Sequence, residues 1–383
     1  MAKSSFLKPS TSAAQALGWR DLSTGAIVPP LVVSAPYERA SDGSYPGGHT
    51  YTRDQNPTYD RCEALLAHLE RGHEALLFGS GMAAATTVFE ILSVGDHVIA
   101  FEEMYWTIRL WLQTQEARGR LTLDLVPNGD LDALRQRIRP GLTKIVWVET
   151  PSNPTCTITD IAGVVDIAHA AGARVVVDGT LATPVLSRPL ELGADLVMHS
   201  ATKQLNGHSD VLAGALVTAA DHDMWAAIKH DRACRGAVLG PFETWLLLRG
   251  MRTLFLRVAK ASENAQRIAE ELTAQQHVIK VMYPGLVDHP GHDVAIAQMD
   301  GGFGPLVSFR VANEHVAKRV VAAMRLFRNA TSLGGVESLV EHRAPVEGLG
   351  TPVPSDLIRL SLGIEDVGDL VADLKQALQH PLR

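Results

Sequence analysis

One lysine in unusual company is the first residue here whose surroundings suggest chemistry. Lys203 stands in Ser200-Ala201-Thr202-Lys203-Gln204-Leu205-Asn206-Gly207, directly after the apolar run 194–198, which reads as a short strand. A lysine at the carboxyl end of a strand, beside two hydroxyl residues and a glycine turn, can hold an aldehyde cofactor as a Schiff base while Ser200 and Thr202 bind its phosphate. Taken alone it also fits an ordinary loop position. The second group lies upstream, where Arg174-Val175-Val176-Val177-Asp178 is a β-branched run ending in a carboxylate. Residues 181–193 leave room for a crossover, so Asp178 and Lys203 can emerge at the same edge of one parallel sheet, where open α/β sheets bind ligands. A carboxylate there pairs with a protonated pyridine nitrogen and keeps the ring an electron sink, which points to pyridoxal phosphate. A strand-end Asp is otherwise often a helix or turn cap. It is the pair, in this order and spacing, that favours the cofactor.

Other predicted strands converge on the same edge. Ala75-Leu76-Leu77-Phe78 enters Gly79-Ser80-Gly81-Met82-Ala83-Ala84 and a helix running to about Leu92, whose free first-turn amides form a phosphate site. His97 to Phe101 leads to Tyr105, an aromatic able to lie flat on a pyridine ring or to serve as a core tyrosine. Lys144 to Val148 delivers Asn153, which can donate to a ring hydroxyl or make an Asn-Pro turn. Between these strands lies scaffold: Thr58 can cap a helix carrying Cys62, Leu65, Leu66 and Leu69, ended by Gly72. A rival from another class also fits part of the pattern. Gly79 to Ala84 satisfies G-x-G-x-x-A, and Glu102 stands about twenty residues on, as an NAD-linked oxidoreductase needs. That reading leaves Asp178 and the Ser200-to-Lys203 group without a role.

A chain of 383 residues favours two domains. Its net charge of −7, with no basic block, argues against nucleic acid or an anionic membrane and for a small-molecule substrate. Residues 1–20 lack an apolar signal region and no later run reaches the ~18 apolar residues of a span, so a cytoplasmic location is expected. Cys62, Cys156 and Cys234 have no metal or redox spacing, and His289-Pro-Gly-His292 reads as a surface loop, so no metal site is expected. Residues 1 to about 50 show no periodicity and are either mobile or ordered against something else. From Pro241 to about Gln275 one amphipathic stretch, interrupted by Gly250, leads into a smaller α+β unit with strands over 278–282 and 306–310 and helices over 315–326 and 367–378. Arg359 lies on a further predicted strand, where a guanidinium is costly unless paired; a bidentate carboxylate suits it, with a structural ion pair as the alternative.

Ser200-Ala-Thr-Lys-Gln-Leu-Asn-Gly-His-Ser-Asp210, Glu149-Thr-Pro-Ser-Asn-Pro154 and Val177-Asp178-Gly-Thr-Leu-Ala-Thr-Pro184 resemble the pyridoxal-phosphate enzymes of Cys/Met metabolism. These include the cystathionine γ-lyases, cystathionine β-lyases, methionine γ-lyases and cystathionine γ-synthases, and the resemblance runs from Tyr51 to Glu365. It implies the α/β fold of type-I PLP enzymes, with a mostly parallel, seven-stranded sheet in a large domain and a smaller C-terminal α+β domain. The expected division is an arm over 1–55 against a neighbouring subunit, a PLP-binding domain over 56–245, and a small domain with its linking helix over 246–383. By the same resemblance Tyr51 and Arg53 reach a neighbour's cofactor phosphate in a homo-oligomer, a dimer of dimers by family habit. Ser80, Gly81, Met82, Ser200 and Thr202 surround the phosphate, Tyr105 stacks on the ring and shares proton transfer, and Asn153 and Asp178 hold the ring. Ser332 and Asn153 meet the substrate, and Arg359 grips its α-carboxylate.

Departures from the family pattern fall on the substrate side. Thr331 replaces a frequent Glu, Trp106 interrupts the usual Tyr-Gly-Gly-Thr, and the usual His-Pro after Ser338 is replaced by Glu341-His342-Arg343-Ala344. Glu341 and Arg109 are charges that would read a distal group or else be solvated. The expected activity is therefore a lyase that eliminates sulfur or a related heteroatom from Cγ of an amino acid, non-sulfur substrates such as canavanine included. β-Elimination and γ-replacement are the alternatives.

Overall fold

The computed structural model describes residues 7–348 and 351–379. Its larger sheet contains β1 (Glu74–Phe78), β2 (His97–Phe101), β3 (Thr122–Val126), β4 (Thr143–Glu149), β5 (Arg174–Asp178), β6 (Leu196–His199) and β7 (Gly214–Thr218), in the order β1-β7-β6-β5-β4-β2-β3. β7 is antiparallel to both neighbours, and every other pair is parallel. The run Val175-Val176-Val177 is fully buried, as a parallel strand covered by helices on both faces requires. Because β1, β2, β4, β5 and β6 run the same way, all five end at one edge. Phe78 pairs there with Gly214, and Asp178 lies between Glu149 and Met198. A Cβ on Gly214 would stand 2.1 Å from Ser80 O, so this glycine lets the turn after β1 close over β7.

The smaller sheet contains β8 (Lys280–Met282), β9 (Leu306–Arg310), β10 (Arg328–Asn329), β11 (Leu339–His342) and β12 (Leu357–Ser361), in the order β10-β11-β12-β9-β8. All its pairs are antiparallel except β10 with β11. Ile358 and Leu360 pack with Phe309, Ile268, Val320 and Leu374 in this unit's own core. The two-residue period of a strand therefore turns Arg359 to the opposite face. There its guanidinium meets Asn153 from the end of β4.

Several expectations are corrected. Asn56, not Thr58, caps the helix Pro57–Glu70: its side chain accepts from Thr58 N at 2.8 Å, while the Thr58 hydroxyl accepts from Val32 N at 3.0 Å. Pro57 at the first helical position, where its missing N–H costs nothing, sets that boundary. The stretch from Pro241 divides into helices Pro241–Met251 and Leu254–Thr273, and Gly250 lies inside the first. A Cβ there would come within 2.3 Å of Asn206 O, so Gly250 allows close packing on the turn after Lys203. β3 and β7 were not anticipated, one an edge strand of weak burial alternation, the other a run of small residues. His289 is buried, unlike a surface-loop residue. In the arm, Ala13 of the short helix Pro9–Ala14 joins the core around Leu65 and Leu69. Later arm residues are tied down by Trp245 Nε1 donating to Pro29 O at 3.0 Å and Asn56 Nδ2 donating to Val32 O at 3.0 Å. No helix among the described residues is long and apolar enough to cross a membrane.

Candidate active site

Each strand ending at the common edge of the larger sheet delivers one polar group. After β1, Ser80 caps the helix Gly81–Glu90, its hydroxyl accepting from Ala83 N at 3.0 Å. Gly81 and Met82 thus open the first turn, where helix amides have no carbonyl partners of their own. A Cβ on Gly81 would lie 2.9 Å from Ser200 Oγ, so this glycine lets the β1 and β6 turns meet in a cradle lined by the Ser200 hydroxyl and the first helix amides. Ser200 N donates to Thr180 Oγ1 at 2.8 Å. The Thr202 hydroxyl donates to Ala213 O at 3.1 Å and accepts from Ala213 N at 2.9 Å.

Asp178, 5 % exposed, accepts from Thr180 N at 3.0 Å. Burial holds its carboxyl above the ordinary range, and burial with the neighbouring Asp178 charge does the same to Glu149. A buried carboxylate facing a ligand edge fits a cationic pyridinium N–H, and a cradle of helix amides and a serine hydroxyl fits a phosphate, so the residues suit pyridoxal phosphate. Tyr105, 38 % exposed, stands at the start of the helix Trp106–Ala117, with the Trp106 ring edge-on at 6.5 Å. Asn153 Oδ1 accepts from Arg359 Nη1 at 3.0 Å, which leaves the Asn153 amide hydrogens for a ring oxygen.

Lys203 Nζ donates to Ser332 Oγ at 2.8 Å, and Ser332 O accepts from Arg359 Nη2 at 2.8 Å. Ser332 has φ +129°, a conformation rarely held by a side-chain-bearing residue and one that costs about 1–3 kcal/mol. Burial, then the positive charges of Arg359 and Arg343, bring the Lys203 amine down to about 8. An amine in that range is partly neutral near pH 7 and can both take and return a proton. Tyr51 and Arg53 lie outside this group, with the Arg53 guanidinium 5.1 Å over the Tyr51 ring.

Four supporting residues were not singled out by the sequence reading. Glu149 accepts from Tyr105 N at 2.6 Å and from Asn153 N at 2.9 Å, fixing both site residues through their backbone. Its place at the end of β4 was a usable signal. Glu103 gathers the hydroxyls of Ser152, Thr155 and Thr157 and stiffens the turn that carries Asn153. Arg257 inserts from the helix Leu254–Thr273 and donates to Gln204 O and Gly250 O, both at 2.7 Å, clamping the turn after Lys203. Arg343 is buried beside Glu341, which is itself buried and ion-paired rather than solvated. Arg109 contacts Glu347 at 3.5 Å. Thr331 is exposed.

The family described as "Cys/Met metabolism PLP-dependent enzyme" matches residues 10–379. Cystathionine gamma-synthase of Mycobacterium tuberculosis is 44% identical over 379 residues, covering 97% of this chain and 96% of the relative. Cystathionine beta-lyase of Lactococcus lactis subsp. cremoris is 42% identical over 368 residues, 94% of this chain and 96% of the relative. The crystal structure of a methionine gamma lyase from Micromonospora echinospora superposes with TM-score 0.90 at 39% identity, covering 97% of this chain and 99% of that one. The chain belongs to the Cys/Met metabolism PLP-dependent enzyme family, has the type-I PLP fold, and is a pyridoxal-phosphate enzyme whose relatives act on carbon–sulfur bonds. The oxidoreductase alternative built on Gly79 to Ala84 and Glu102 is thereby overturned.

Proposed function

We propose that this member of the family eliminates sulfur, or a related heteroatom, from Cγ of an α-amino acid. The observation that carries the reading is the double use of Ser332, whose hydroxyl holds the Lys203 amine while its carbonyl holds the Arg359 guanidinium. One residue thus sets the distance between proton carrier and carboxylate anchor, and an amino acid gripped by Arg359 has its Cα and Cβ beside one amine. Pyridoxal phosphate, held by Asp178, Asn153, Tyr105 and the Ser80–Ser200 cradle, supplies the electron sink when bound. Lys203 removes the Cα proton and then moves a Cβ proton, and Lys203 or Tyr105 protonates the departing heteroatom. A second reading, γ-replacement, is favoured by the likeness to a cystathionine gamma-synthase. The test is product analysis with cystathionine, methionine, O-acetylhomoserine and canavanine, each with and without added cysteine. Oxobutyrate and ammonia support γ-elimination, a new thioether supports γ-replacement, and pyruvate as sole oxo acid sinks both in favour of β-elimination.

The arm supports a further part of the reading, a homo-oligomer in which Tyr51 and Arg53 serve a neighbour's site. Ile27 and Val33 are 77 % and 73 % exposed in the single chain, an apolar surface suited to a second copy. Mixing Arg53→Ala chains with Lys203→Ala chains should restore up to about a quarter of wild-type activity, since half of randomly mixed dimers are hybrids with one intact site of two. Inactive hybrids, shown to have formed, count against shared sites.

A further inference from the structure

The ends of β4 and β5 place two acids side by side. Glu149 and Asp178 are register partners on these parallel strands, and adjacent strands run about 5 Å apart. Their side chains also share a face. Val148 and Val177, one step earlier, lie in one core cluster. Trp147 and Val176, two steps earlier, lie in another, together with Ala84 and Val88 of the helix capped by Ser80 and with Ile108 and Leu112 of the helix after Tyr105. Side chains alternate along a strand, so Glu149 and Asp178 leave the sheet on the face that carries those two helices, the phosphate cradle and Tyr105 among them.

Both acids are 5 % exposed, and neither makes an ion pair with any described residue. The positive groups near enough to act on them are engaged with other acids, Arg343 with Glu341 and Glu347, and His199 with Glu70. Glu149 still receives a backbone N–H on each oxygen, from Tyr105 at 2.6 Å and from Asn153 at 2.9 Å, an arrangement that favours its charged form. Those amides account for an acceptor at this position. They do not account for a second acid beside Asp178, since a buried pair of like charges is costly unless a cation joins it.

We propose that Glu149 is a positioning residue for the cofactor's ring nitrogen: its charge adds to that of Asp178, and the two together hold the nitrogen as a pyridinium. This rests on Asp178 facing that nitrogen, and on no particular reaction. Asp178 meets the N–H, while Glu149 acts from the neighbouring strand, at a range where one unit charge changes the binding of a cation about tenfold in a partly buried site. The carboxylate that fixes the backbone of Tyr105 and Asn153 thereby also sets the charge of the ring they hold.

The experiment titrates full-length apoenzyme near pH 7 with pyridoxal phosphate and with its deaza analogue, whose ring has C–H in place of the nitrogen and therefore no positive charge. The wild type should prefer pyridoxal phosphate. Glu149→Gln keeps the volume and one acceptor oxygen, so it should weaken both ligands through the loosened amides but cut that preference about tenfold, whereas Glu149→Asp, which keeps the charge, should hold the preference within about threefold. A loss shared equally by the two ligands, or no loss at all, overturns the proposal and leaves Glu149 its amides only. A second measurement leaves Glu149 unchanged and decides if Glu149→Gln does not fold. In Asp178→Asn enzyme loaded with pyridoxal phosphate labelled at the ring nitrogen, the nitrogen NMR shift should still report a protonated fraction near pH 7, because the Glu149 charge remains; a wholly unprotonated nitrogen is equally fatal. A wild type with no preference between the ligands overturns the placement of the ring nitrogen at Asp178 itself, while a preference that survives Glu149→Gln intact sinks only the role of Glu149.

Discussion

The strand-end edge of the larger sheet and the inner face of the smaller sheet meet at the same site, but they hold their side chains by different means. At the edge the anchors are backbone amides: Glu149 fixes Tyr105 N and Asn153 N, Asp178 accepts from Thr180 N, and Ser80 accepts from Ala83 N. On the small sheet and the turn just after β11 they are ion pairs between long side chains, with Arg343 reaching both Glu341 and Glu347. Backbone anchoring depends on where a strand ends, and any apolar run of the right length provides it. Ion-pair anchoring depends on which side chains meet after packing, so a single substitution resets it. The first arrangement suits the proton transfers, and the second suits the grip on the α-carboxylate that precedes them.

The largest expected effect tests the edge. Lys203→Ala should lower turnover at least about 10³-fold and remove the absorbance of lysine-bound cofactor, because one amine is both anchor and proton carrier. Retained activity would break the reading of the edge as the chemical half. On the other side, Arg359→Met should cost about 10²-fold in kcat/KM, mostly through KM, as expected for a carboxylate contact already made before chemistry. A loss confined to kcat would erase the proposed division of labour.

The same difference explains what the sequence disclosed. The ends of β1, β2, β4, β5 and β6 were legible because each follows a short apolar run, and Asp178 and Lys203 stood out as charges directly after such runs. Sequence spacing has no comparable signal for Arg359 meeting Glu341 across paired strands, or for Arg257 entering the Lys203 turn from a helix that begins more than forty residues later. Arg257 looked like a polar position of an amphipathic helix. Only the packing of that helix on the Gln204–Gly207 turn shows it buried, and a Cβ at Gly207 would lie 1.7 Å from its Nη1. The cap at Asn56 was misplaced for a local reason, since Asn56, Pro57 and Thr58 are all common at helix starts.

Arg257 also sharpens the comparison, for it supports the edge with a long side chain rather than a backbone amide. Arg257→Met should strand the buried carbonyls of Gln204 and Gly250 and destabilise the holoenzyme by about 2–4 kcal/mol, read from urea unfolding. With Lys203 less well aimed, kcat should fall more than KM rises. A stable variant with wild-type kcat would show that backbone contacts alone hold the Lys203 turn.

The smallest effect concerns proton linkage in the cofactor-free protein. The Lys203 amine sits at about 8 in the folded chain against 10.5 for an ordinary lysine, chiefly because burial disfavours its charge. Below pH 8 both folded and unfolded chains carry the proton, and the full cost of burying the ammonium opposes folding. Between about 8 and 10.5 the folded chain releases the proton while the unfolded chain keeps it, so this lysine's contribution to stability rises with pH. The shift corresponds to about 3 kcal/mol at most, and partial exposure with the Ser332 bond should reduce the observable part to about 1–2 kcal/mol. Apo Lys203→Met should therefore be more stable than apo wild type at pH 7, and the gap should close as pH rises through this window. Urea unfolding of both proteins at pH 7 and pH 9.5 measures it, and comparing the two chains cancels other groups that titrate in the same range. A gap that stayed constant or widened with pH would mean that the amine is not held in its neutral-favouring environment, and the proton-carrying role assigned to the edge would lose its electrostatic basis.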